Sequence, residues 1–256
     1  MLAEEELTED AVLGGRLRLR QLRRGHRVGH DAILLAAACP AQPGERAADL
    51  GAGVGAAGLA LAARVDGVHV TLVEIDARLA ALAQTNAHLN GLSAQVTIAN
   101  LDVLAPADAQ ATAGLSPGSL ARVLMNPPFN DPERLRTSPE PARRLAHSAP
   151  RGTLAAWTVM GARLLRPSGT LTLLWRADGL DHVLQCLDPL LGAVTVLPIH
   201  PGPGKAAVRI LARATKGRRA ALALLPGLFL NDEKGCPSPE AESVLRGGAT
   251  LPLALT

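Results

Sequence analysis

Asp49-Leu50-Gly51-Ala52-Gly53-Val54-Gly55 stands between the short apolar run 47–50 and the alanine-rich run 56–64. Strand, glycine turn and helix in that order begin a βαβ unit. Glycines there let the backbone reverse tightly and let a ligand come close where a Cβ would stand. An acidic residue, Glu74, closes the next strand at the position that holds ribose hydroxyls in such folds. Asp102, just past the third strand, is placed to accept from an adenine amino group or to cap a turn. These features predict a nucleoside-bearing cofactor at the carboxyl ends of the strands, with Asp49, Gly51, Gly53, Glu74 and Asp102 as candidate ligands. Gly51-x-Gly53-x-x-Ala56 also meets the loose dinucleotide pattern, so NAD competes. Asp49 favours a ligand with a cationic amino group, which a carboxylate attracts and a pyrophosphate does not carry.

The alternation continues outward. Strands are expected at 68–73, 95–99, 121–125, 170–175 and 194–199, and helices at 76–90, 153–165 and 178–191. Strands alternating with helices predict an α/β fold with a doubly wound, mostly parallel sheet covered on both faces. Residues 200–205 alone separate strand 194–199 from the apolar run 206–214. A parallel crossover needs about a dozen residues or more, so this pair is an antiparallel hairpin. Residues 222–230 form one more short apolar element, and Ser238-Pro239-Glu240 opens a small helix. Upstream, Asp31 stands at or near the N-cap of a helix over 32–38.

Asn126-Pro127-Pro128-Phe129 ends the apolar run 121–125. Two prolines cannot continue a ladder, so a buried strand stops here at a pocket. The Asn126 side-chain carbonyl and the Pro127 backbone carbonyl are acceptors, and Phe129 offers a flat apolar face. A planar group with an exocyclic NH2, such as adenine, guanine or a carboxamide, could stack on the ring and donate to both carbonyls. Asn-Pro is also an ordinary turn signal and Phe129 a plausible core residue; the glycine turn upstream adds weight to the site. The long segment 130–151, with Arg134, Arg136, Arg143 and Arg144, reads as a substrate-facing loop.

At 256 residues and 48% hydrophobic, the chain can bury one sizeable core. Aromatics make up 2%, with no Tyr, which argues against a broad stacking platform for single strands and makes each Phe and Trp conspicuous. The net charge is +3, yet arginine is unevenly placed. Residues 16–21 alternate arginine and leucine, and Arg23, Arg24 and Arg27 extend the charge. That pattern fits either a charge-protected strand edge or a phosphate-contacting surface. The acidic lead Glu4, Glu5, Glu6, Glu9 and Asp10 reads as solvated and disordered. Cys39, Cys186 and Cys236 lack metal-ligand spacing and suit free thiols in a reducing cytoplasm. Neither a signal peptide nor a membrane span is expected, and no metal.

Asp49 to Gly55, Val73-Glu74-Ile75-Asp76 and Asn126 to Phe129 resemble the motifs of class I S-adenosylmethionine-dependent N-methyltransferases. Gly29-His30-Asp31-Ala32-Ile33-Leu34-Leu35, the segment 125–130, Pro203-Gly204-Lys205 and Leu224-Leu225-Pro226-Gly227 are similar to the bacterial tRNA adenine-N6 methyltransferase family, which modifies adenine beside the anticodon. The resemblance implies a Rossmann-like, seven-stranded sheet with an antiparallel seventh strand and S-adenosylmethionine as cofactor. Asp49, Gly51, Gly53, Glu74 and Asp102 would hold the cofactor, and Asn126, Pro127, Pro128 and Phe129 the base. RNA, as tRNA, would meet Arg23, Arg24, Arg27, Arg134, Arg136 and Lys205, with further cations at Arg209, Arg213, Lys216, Arg218 and Arg219. The organisation expected is one domain over 1–256: an extension at 1–40, a catalytic core at 41–216 and a tail at 217–256. Asn130 departs from the aromatic residue many such members carry after this motif. Guanine N2 of ribosomal RNA and a protein glutamine are the alternative acceptors; a binding module without turnover and an NAD oxidoreductase stand further off.

Overall fold

A computed structural model describes residues 6–24, 27–128 and 152–255 of the chain. Its first element corrects an expectation. Glu9 and Asp10 of the acidic lead are built into a strand, β1 (Leu7–Val12), which pairs antiparallel with β2 (Leu17–Leu22), while Glu4 and Glu5 lie outside the described residues. The reason is complementary charge on one face and leucine on the other. Glu9 accepts from Arg18 and Arg20, and Asp10 from Arg27, while Leu17 and Leu19 are fully buried.

The helix α1 (His30–Ala38) is capped by Gly29 rather than by Asp31. Asp31 lies in its first turn and pairs with Arg209 at 3.2 Å. The glycine turn then joins β3 (Arg46–Leu50) to α2 (Ala56–Arg64), as the pattern predicts. There follow β4 (His69–Glu74), α3 (Ala77–Leu89), β5 (Val96–Asn100) and a six-residue helix α4 (Ala107–Thr112), which the sequence reading leaves as connection. After β6 (Leu120–Met125) the described chain resumes in α5 (Thr153–Leu164), β7 (Leu165–Arg176) and α6 (Leu180–Leu187). The strands β8 (Gly192–His200) and β9 (Arg209–Thr215) form the expected hairpin.

The seven strands stand in the order β5-β4-β3-β6-β7-β9-β8. All are parallel except β9, which runs antiparallel to both neighbours. Two short strands from the tail, β10 (Ala223–Leu224) and β11 (Leu228–Phe229), add in parallel to the outer side of β8 and bring the sheet to nine. One face is covered by α1, α2, α3, the β1–β2 ribbon and the tail, the other by α5 and α6. Gly58 shows how closely α2 lies on the sheet, since a Cβ there would stand 2.2 Å from Leu72.

The last helix, α7 (Pro239–Leu245), starts at Ser238, whose hydroxyl accepts from Ala241 N at 3.0 Å. Beyond it the tail doubles back under α1. Leu251 N donates to the Ala37 carbonyl at 2.9 Å, Arg64 to Ala249 at 2.6 Å and Arg213 to Leu253 at 2.5 Å. Among the described residues no helix is long and apolar enough to cross a membrane.

Candidate active site

The strand order reverses beside β3, so a crevice opens at its carboxyl end. Register aligns the residues there. Leu50 pairs with Met125 on one side and Val73 on the other, and Glu74 pairs with Asn100. Asn126, Gly51, Glu74 and Asn100 therefore form one row across the ends of four adjacent strands. At the usual strand separation, Asn126 and Glu74 sit on backbones ~10 Å apart.

Within this row the glycine turn is pinned to β4. Gly51 N and Ala52 N both donate to the Val73 carbonyl at 2.9 Å. Glu74, 7% exposed, accepts from Gly53 N and from Asp76 N, each at 2.8 Å. Asn100 Nδ2 donates to the carbonyls of Glu74 at 2.9 Å and Ile75 at 3.1 Å, fixing the strand end that carries the acid. Gly53 has a φ of +58° and open space where a Cβ would be. Open space beside a buried carboxylate leaves room for the ribose and amino-acid portions of S-adenosylmethionine, which Gly53 and Glu74 could hold. Asp76 caps α3, accepting from Arg78 N at 2.8 Å.

Asp49 lies deeper, 2% exposed, and accepts from Gly58 N at 2.8 Å. Burial pushes its carboxyl up to about 7; the Gly58 N–H works against that, and the charge of Glu74 adds to it. It thus ties α2 to β3 in addition to any cofactor contact. Its protonation also has a stability consequence. An unfolded aspartate loses its proton near pH 3.8 and this one near 7, so between those values the folded state holds the extra proton and stability falls as pH rises. Asn at this position still offers a carbonyl to Gly58 N and never ionises. In urea unfolding Asp49→Asn should match the wild-type stability near pH 4 and exceed it above pH 7, the difference approaching roughly 4 kcal/mol. A gap independent of pH would contradict this assignment.

Asp102 is exposed and accepts from Leu104 N at 2.8 Å, so it caps a turn at the edge of the crevice. Asn126 is different. Its Oδ1 is buried and has no hydrogen-bond partner among the described residues. An acceptor left this way costs about 1–3 kcal/mol, and such groups persist where a ligand completes them. Pro127 is buried and Pro128 half-buried beside it. Phe129, Arg134 and Arg136 lie outside the described residues.

The sequence reading missed Trp157. The second turn of α5 brings its ring against Gly51, where a Cβ would stand 2.4 and 2.7 Å from two ring carbons. Its scarcity was the available signal, as one of two tryptophans in the chain.

The expected phosphate contacts divide. Arg23 and Arg24 are exposed just past β2, and Lys205 is exposed at the tip of the β8–β9 hairpin. Arg27 is taken up by Asp10 at 2.9 Å, so it is not a free cation. Because β9 runs antiparallel, its end and the residues after it fall at the edge of the sheet remote from Asn126. Lys216 there binds the carbonyls of Ala162 and Leu165, both at 2.7 Å, and Arg213 is buried against the tail, so both serve the fold. Arg218 and Arg219 follow at the same remote edge.

A switch-point crevice of this build, in a sheet closed by one antiparallel strand, marks a class I S-adenosylmethionine-dependent methyltransferase. Comparison with known proteins narrows the class. The model of the methyltransferase small domain family matches residues 26–197, and the chain belongs to that family. The chain is 32% identical over 197 residues to a tRNA1(Val) (adenine(37)-N6)-methyltransferase of Aeromonas hydrophila, a match covering 75% of this chain and 77% of that one. It is 31% identical over 155 residues to a release factor glutamine methyltransferase of Chlorobaculum tepidum, covering 58% of this chain and about half, 51%, of that longer protein. The crystal structure of a predicted O-methyltransferase from Agrobacterium tumefaciens superposes with a TM-score of 0.73 at 30% identity, over 86% of this chain and 98% of that one.

Proposed function

We propose that this protein methylates the exocyclic amine of a nucleobase in RNA, with adenine N6 of a tRNA as the acceptor and the cytoplasm as the place of action. The orphaned Asn126 Oδ1 carries the reading. An exocyclic amine is a weak nucleophile, because its lone pair is shared with the ring. As the nitrogen attacks, positive charge grows on its N–H bonds, and an acceptor fixed in a buried site stabilises that state more than the ground state. Pro127 supplies a second carbonyl and no competing N–H, and Phe129 a face for the base. The cofactor, when bound, supplies a methyl group activated by a cationic sulfur. Positioning provides much of the rate in such an in-line displacement, and no base is needed before the methyl has moved. A target inside folded RNA must leave its stack to enter.

The similarity to the tRNA enzyme favours adenine, and the exposed Arg23, Arg24 and Lys205 favour RNA over protein. The similarity to the release-factor enzyme keeps a glutamine carboxamide as the second reading. In this reading the residues 1–256 act as one catalytic unit, the extension at 1–40 and the tail at 217–256 serving the core at 41–216.

The test is methyl transfer to undermodified total RNA, followed by nucleoside mass spectrometry. N6-methyladenosine is the expected product; N2-methylguanosine or methylated release factor would move the acceptor. S-adenosylhomocysteine at a hundred times its Kd should stabilise the fold by about 2.7 kcal/mol, and NAD not at all. RNA affinity should fall steeply with salt; an indifferent response would refute phosphate contacts.

A further inference from the structure

We propose that Phe229 and His200 form a base-stacking subsite for single-stranded RNA on the outer margin of the same sheet edge that carries Asn126. The proposal rests on the RNA reading and deepens it by assigning a second nucleotide contact away from the reacting base.

Strand directions place the pair. His200 ends β8, which runs parallel to β6 and β7, and β11 adds beside it so that Phe229 pairs with His200. Both rings therefore lie at the carboxyl edge, His200 three strand separations from β6 and Phe229 four, or ~14 and ~19 Å along the sheet. The ring centroids are 5.0 Å apart with planes inclined at 34°. His200 Nδ1 lies 2.8 Å from the Lys205 carbonyl. A carbonyl can only accept, so Nδ1 carries the proton and the ring is fixed. Gly227 packs closely on the same ring, since a Cβ there would stand 2.5 Å from it.

That framework fixes the His200 ring against which Phe229 rests, and Phe229 remains 40% exposed in a chain with two phenylalanines and no tyrosine. An aromatic ring half bared and backed by a second, fixed ring is suited to a base, whose π-face stacks without regard to sequence. Lys205, exposed on the adjoining turn, supplies the cation that a phosphate next to a stacked base requires. The nearby acid Asp232 is directed into its own turn, accepting from Lys234 N and Cys236 N, both at 2.9 Å. The broad aromatic platform excluded by composition is thus replaced by one local contact.

The experiment compares the wild-type chain with Phe229→Leu, which keeps apolar bulk without the ring face, and Phe229→Trp, which restores one. Binding of a fluorescein-labelled single-stranded RNA is measured by anisotropy, alongside S-adenosylhomocysteine affinity, RNA methylation and oligomeric state. The expected result is an RNA Kd raised about tenfold in Phe229→Leu and restored in Phe229→Trp, from the usual worth of one stacked base. Cofactor affinity and the melting temperature should be unchanged. RNA binding equal to wild type in Phe229→Leu would overturn the subsite, and a changed oligomeric state with unaltered RNA binding would reassign the ring to a protein contact. Methylation failing in the wild type while ring-dependent RNA binding persists would defeat the proposed function and leave the subsite standing. Methylation succeeding with Phe229→Leu unchanged would do the reverse.

Discussion

Asn126→Ala should lower kcat for methyl transfer by about 10²–10³-fold, the usual loss when one preorganised group facing a developing charge is removed. The companion measurements make the result specific. Asn126 Oδ1 has no partner among the described residues, so its removal breaks no hydrogen bond there and relieves an unsatisfied buried acceptor. The melting temperature should hold or rise, and S-adenosylhomocysteine should bind as before, because the cradle proposed for the cofactor lies at the ends of β3 and β4. A stabilised, cofactor-competent and inactive variant is the pattern of a residue kept for chemistry at some expense of stability. Turnover within a few fold of wild type would remove Asn126 from the reaction, whatever the fold does.

Gly51→Ala should be among the more damaging single methyl additions in the protein, and one that reaches the cofactor crevice. Two costs coincide. The new Cβ would stand 2.4 Å from the Trp157 ring, and the φ of +72° is one that residues with a side chain rarely adopt. Overpacking of this kind and a left-handed alanine together cost about 2–5 kcal/mol. The turn cannot shift to escape without disturbing the bonds from Gly51 N and Ala52 N to Val73 and from Gly53 N to Glu74, so cofactor affinity should fall with stability. Urea unfolding in a Trp157→Leu background separates the terms. There Gly51→Ala should recover the collision and keep the backbone strain. An identical loss in both backgrounds would show that the ring exerts no constraint on Gly51.

Much of this architecture was legible because it is local. The strand, glycine turn and helix over 47–64 are written contiguously, and the six residues 200–205 leave room for nothing but a hairpin. What escaped depends on partners elsewhere. The acidic run was unreadable as β1 without pairing it to the arginines of β2, since each charge pattern alone describes a solvated face. The strands β10 and β11 have two residues each and exist through β8 alone. Trp157 meets Gly51 across a long interval of chain that periodicity cannot span. One error was avoidable: the antiparallel direction of β9, correctly inferred, already implied that Lys216, Arg218 and Arg219 stand at the edge opposite the reacting base.

The doubled-back tail bears on how the protein is made. The Ala37 carbonyl at the end of α1 waits for Leu251, and Arg64 on α2 waits for Ala249. Those partners are synthesised well after the helices they close, Ala249 following Arg64 by 185 residues. A growing chain therefore leaves the underside of α1 and α2 uncovered until the tail has emerged. The segment 249–251 thus acts as a latch on α1 and α2, and a chain cut before residue 249 leaves both helices unfastened.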